Sequence, residues 1–104
     1  MALLNSNAMS TKLGVDIASS YLRLEIYIKP SGDVQVAINA YKDKADFAAG
    51  GEMINSAIDF DLSNIELTEV DPANLNIVDI HDLVKAKLGE RGLDVAKLAA
   101  ADIA

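Results

Sequence analysis

The chain has no cysteine and no tryptophan, and only one histidine. Without cysteine there are no disulfides, thiolate metal sites, redox motifs or thiol nucleophiles. Small secreted domains often need such staples, so the absence favours a reducing compartment or an oligomer. A lone His81 leaves little material for a transition-metal site or a Ser-His-acid triad within one chain. Basic residues are missing from Glu52 to Asp82, a span that carries eight acidic residues. The rest of the chain is close to neutral, and the net charge is −7. Nucleic-acid binding needs a basic stripe to neutralise phosphates, and an anionic membrane surface asks for the same, so neither partner is expected. No apolar run approaches the roughly 20 residues of a membrane span.

What is present is an aliphatic chain of 104 residues, 51% apolar, the size and composition of one globular domain. Ala2-Leu3-Leu4 is too short for a signal-peptide core and no basic residues precede it. Ser6-Asn7-Ala8 directly before Met9 resembles the residue left by cleavage of an expression tag. Residues 1–8 are therefore expected to lie outside the fold, with a single α+β domain over 9–104.

Leu22, Leu24, Ile26 and Ile28 alternate with Arg23, Glu25, Tyr27 and Lys29. After Pro30-Ser31-Gly32, Val34, Val36, Ile38 and Ala40 alternate with Gln35, Ala37, Asn39 and Tyr41. Period two over both stretches predicts two half-buried strands. Register decides the loop. A two-residue loop would set Ile28 against Gln35, mixing the faces along the whole ribbon. A three-residue loop pairs Lys29 with Asp33, and hence Ile28 with Val34 and Tyr21 with Tyr41. Pro30 and Gly32 suit a type I turn closed by a left-handed residue.

Lys12–Ile17 fits either a further strand, pairing within the chain or with a neighbour, or the start of a long first strand bent near Ala18–Ser20. Asp43 is expected to cap a short helix stopped by Gly50. Ile58, Phe60 and Leu62, then Ile65 and Leu67, predict a second hairpin turning at Ser63-Asn64. From Asp71-Pro72 or Asn76 a helix is expected, with Ile77, Ile80, Val84 and Leu88 on one stripe, ending at Gly89 or Gly92. Its acidic residues cluster near the start and its basic ones near the end, as the helix dipole favours. Asp94 is expected to cap a last short helix through Val95, Leu98 and Ala99. The expected fold is thus α+β: an antiparallel meander of three to five strands, then one or two helices packed on one face.

Chemistry-bearing clusters are scarce. Asp59 and Asp61 share the polar face of a predicted strand, and neither they nor Glu66 and Glu69 have a neighbour that marks them for acid–base work. Asp59-x-Asp61-x-Ser63-Asn64 resembles the start of a calcium loop, yet an EF-hand would place Gly at Asn64 and Glu at Val70. His81 falls beside the apolar stripe, as a structural histidine does.

The stretch Val36-Ala37-Ile38-Asn39-Ala40-Tyr41-Lys42-Asp43-Lys44-Ala45-Asp46-Phe47-Ala48-Ala49-Gly50 resembles a strand–Tyr-x-x-Lys-Ala-x-x-x-x-Gly pattern in small proteins of tailed phages and prophages. Asn74-Leu75-Asn76 before the helix is similar too. The resemblance implies a role in virion structure or assembly rather than catalysis, in the cytoplasm or the virion.

The expectation is a non-catalytic structural or assembly protein with no cofactor. It would act through a sheet edge or through a face bearing Tyr21, Tyr27 and Tyr41, towards itself or another protein. The alternative is a module that binds a small ligand or cation with its acidic segment 52–82.

Overall fold

The computed structural model describes residues 1–68 and 70–101. Its main sheet has five antiparallel strands: β1 (Ala2–Asn5), β4 (Ser20–Ile28), β5 (Val34–Tyr41), β6 (Ile65–Leu67) and β7 (Leu98–Ala101). They run in the order β6-β5-β4-β1-β7. Strands β2 (Met9–Ser10) and β3 (Asp16–Ile17) form a small separate ribbon. Helix α1 spans Lys44–Ala48, and α2 spans Ile77–Glu90. The fold is α+β, with α2 covering one face of the sheet.

The β4–β5 hairpin has the register that alternation demands: Ile28 faces Val34, Leu24 faces Ile38, and Tyr21 faces Tyr41. Lys29 N–H donates to Asp33 O at 2.8 Å, and Gly32 takes a φ of +92°, which a residue without Cβ adopts without strain. Leu22, Leu24, Val34, Val36, Ile38 and Ala40 fill the core-facing side, with Ile80, Val84 and Leu88 of α2 opposite. Asn76 caps α2 by accepting from Val78 and Asp79 N–H, and the chain leaves the helix through Gly92 at φ +116°. Asp43 caps α1 as expected, and Gly50 follows at φ +80°.

Four expectations need correction. Residues 1–8 lie inside the fold: β1 sits between β4 and β7, with Ala2 and Leu3 fully buried. Asn5 and Asn7 extend that role. The Asn5 amide donates to Ser20 Oγ at 3.0 Å, and its Oδ1 accepts from Asn7 N–H at 2.9 Å. The Asn7 amide in turn pairs with the Asp94 backbone, accepting from its N–H at 2.8 Å and donating to its O at 3.1 Å. Every one of these buried polar groups has a partner, as burial requires.

Second, the Ile58–Leu62 strand does not form. Thr11 bridges Ile58, Asp59 N–H goes to Ser10 O, and Arg91 Nη1 donates to Asp61 O and Ser63 O at 3.0 and 2.8 Å. The ladder fails at β6: Ile65 and Leu67, whose backbone groups a turn at Ser63-Asn64 would set against Leu62 and Phe60, pair instead with Val36 and Val34 of β5. Third, Lys12–Ile17 contributes only Asp16–Ile17 as strand, paired with β2 of its own chain. Fourth, the final helix is a single 3₁₀ turn at Val95–Lys97, after which Leu98–Ala101 becomes β7. The open edge of β1 offers this alanine-rich segment backbone partners, and pairing overrides its helical preference.

Candidate functional site

The tyrosine face divides. Phe47 of α1 packs on Tyr21 and Tyr41, with ring centroids 5.7 and 4.8 Å away, and the Arg23 guanidinium lies 4.8 Å from the Phe47 centroid. Tyr21 is fully buried there and Tyr41 half-buried. These two rings therefore serve a small second layer within the chain. Tyr27 alone is open, 48% exposed, with its hydroxyl donating to Glu25 at 2.5 Å. That carboxylate, by hydrogen bond and charge, holds the phenol above its ordinary value.

His81 is buried, with Nδ1 2.8 Å from Ile77 O and Nε2 3.1 Å from Ala2 O. Both ring nitrogens face backbone carbonyls, so the residue joins α2 to β1 and offers no nitrogen to a substrate. Asp59 and Asp61 are both exposed. The Ser63 hydroxyl and backbone N–H, helped by Arg91, hold the Asp61 carboxyl below its ordinary value. Glu69 lies outside the described residues. Among the described residues no three His, Cys, Asp or Glu side chains converge as a metal site. No helix among them is long and apolar enough to cross a membrane.

The sheet edges differ from each other. At the β6 edge, Glu66 is bonded to Lys29 at 2.6 Å and to Gln35 at 2.9 Å, placing charge on a three-residue strand. Beyond β6, Asn55 continues the edge, accepting from Ala40 N–H at 2.6 Å and donating to Ile38 O at 2.7 Å. Charge, brevity and side-chain cover are the usual protections of an edge. The β7 edge carries only Leu98, Ala99, Ala100 and Ala101. Ser6 N–H donates to Lys97 O, and alternation along the ladder then turns Ala99 and Ala101 toward β1 and Ala100 outward. Ala100 is exposed, and among the described residues no strand pairs with β7 on that side.

A hollow of about 440 Å³ opens at the start of α2. Val70, Ile80 and Leu83 give it apolar walls, and Asp71, Asp79 and Asp82 lie around it. Its acidic residues were legible in the sequence, but their gathering around a hollow depends on how 70–76 folds against α2. Nor did alternation mark β7, because four small residues carry no two-sided pattern.

No family model matches the chain, and no curated protein or solved structure matches it significantly.

Proposed function

We propose that the protein is a non-catalytic structural or assembly component that joins copies of itself through the β7 edge. The observation that carries this reading is the contrast between the two edges. One has a charged strand and Asn55 across its backbone groups, while the other presents an uncharged, proline-free strand with the Ala100 N–H and C=O turned outward. Such an edge is a template for antiparallel addition of another strand. Two copies meeting at β7 would extend five strands to ten about a two-fold axis. The likeness of Val36–Gly50 to small phage proteins supports the same class of role. The tyrosine face is the weaker candidate, since Phe47 covers Tyr21 and Tyr41 and leaves Tyr27 alone.

Light scattering at micromolar concentration tests the reading. The wild-type chain is expected at a dimer's mass or above. Ala100→Pro removes the outward N–H and spares the bonds to β1, and is expected to abolish edge pairing while the melting curve stays cooperative. A wild-type chain at single-chain mass throughout, or edge pairing intact in Ala100→Pro, would overturn it.

A further inference from the structure

The β2–β3 ribbon ends in a tip that is unusual for exposed loop structure. Leu13 is 92% exposed and Val15 65%, with the exposed Lys12 beside them. The tip is nonetheless ordered by its own bonds. Thr11 N–H donates to Val15 O at 2.9 Å, Gly14 N–H to Thr11 O at 2.9 Å, and Val15 N–H to Thr11 Oγ1 at 3.2 Å. Its base is held by Lys12 N–H on Ala57 O. An aliphatic knob already fixed in shape loses little entropy on docking. Loop tips in contact with water alone are normally polar.

We propose that this tip docks into the α2 hollow of a second copy of the chain. The occupant is argued from complementarity. The hollow offers Val70, Ile80 and Leu83 to the Leu13 and Val15 side chains. Asp71, Asp79 and Asp82 offer negative charge to the Lys12 ammonium. No lysine or arginine lines the hollow, and Lys85 approaches its rim, 3.9 Å from Asp82. On the tip the charge next to Lys12 is Asp16, which is turned to Ser10 Oγ at 3.0 Å. Opposite charges thus meet around an apolar centre, the arrangement that sets register at interfaces. Knob and hollow are different surfaces, so the contact is head-to-tail and propagates from copy to copy. This inference deepens the self-association proposed above and adds a second interface to the edge.

Sedimentation of the full chain across 1–200 µM (about two decades around the usual range of weak self-association) tests it through four variants. Leu13→Asp is expected to weaken head-to-tail association about tenfold or more. Because Leu13 is exposed, its single-chain melting curve should match the wild type. Lys12→Glu and Asp79→Lys should each weaken association, and the double variant Lys12→Glu/Asp79→Lys should restore it. That rescue cannot arise from misfolding of either single variant. If association persists unchanged in Leu13→Asp, or the double variant fails to recover, the docking is overturned while the β7 reading stands. If Ala100→Pro leaves association intact and Leu13→Asp abolishes it, the β7 reading falls and the docking stands. A wild-type chain that never associates overturns both.

Discussion

Nε2 of His81 lies 3.1 Å from the carbonyl oxygen of Ala2, across 79 residues of chain. The contact fastens the main helix to a strand only four residues long. His81→Phe keeps a ring of similar size and removes both polar contacts of a buried side chain, while the Ala2 carbonyl keeps its place in the ladder opposite Ala101. Urea denaturation is expected to show a loss of about 1–3 kcal/mol with an unchanged slope. Deleting residues 1–7 is expected to abolish the cooperative transition, because β4 and β7 then lose the strand between them.

Asn55 acts as a one-residue strand. It meets the N–H of Ala40 and the carbonyl of Ile38 where β6 no longer reaches. Asn55→Ala removes both bonds from a half-buried edge and should cost about 1–3 kcal/mol. Hydrogen exchange provides the local readout: the Ala40 amide should exchange faster, with the Lys29 amide in the hairpin turn unaffected.

Arg91 gathers the loop that alternation describes as a strand. Its guanidinium donates to the carbonyls of Asp61, Ser63 and Asn64, at 3.0, 2.8 and 3.3 Å. Arg91→Lys keeps the charge and cannot span the three carbonyls, so it should behave much like Arg91→Ala. Both should raise exchange of the Ser63 amide, and a lysine that preserved wild-type protection would count against this role.

Acid should weaken the fold through two carboxylates. Hydrogen bonds from Ser63 hold Asp61 below the ordinary aspartate value of 3.8, and those from Ala73 N–H and Asn74 do the same for Asp71. A carboxyl depressed in the folded state stabilises fully above its unfolded value and loses that contribution as pH falls through the folded one. Urea midpoints should therefore hold level from neutral pH to about 4 and fall below it. Asp61→Asn should flatten part of that fall, and an unchanged slope would remove Asp61 from the account.

Where the sequence reports the fold, two-sided patterns carry the message. Eight alternating residues on each side of Pro30-Ser31-Gly32 determine register as well as strand. Asn76 followed by the Ile80, Val84 and Leu88 spacing likewise marks α2 and its buried stripe. The patterns fail where a segment is too short or is claimed by distant partners. Ala2–Asn5 owes its place to β4 and β7, neither adjacent to it in sequence. Ile58–Leu62 alternates well, yet Ile65 and Leu67, its expected partners, pair with β5. The candidate sites follow the same rule: Tyr27 and the acidic residues were visible, whereas the β7 edge and the α2 hollow exist only once remote segments meet.

The neighbour relation of β1 and β7 also orders events during synthesis. Strand β1 is made first and can pair with β4 as soon as that hairpin forms. Its other side waits, since the segment paired there ends with Ala101 opposite Ala2. Through all the intervening synthesis a nascent chain carries a bare strand edge. Closing so long a loop is also the slowest kind of contact to make. The interval before β7 arrives is therefore when a growing chain is most open to capture by another, whether a chaperone or a sister copy.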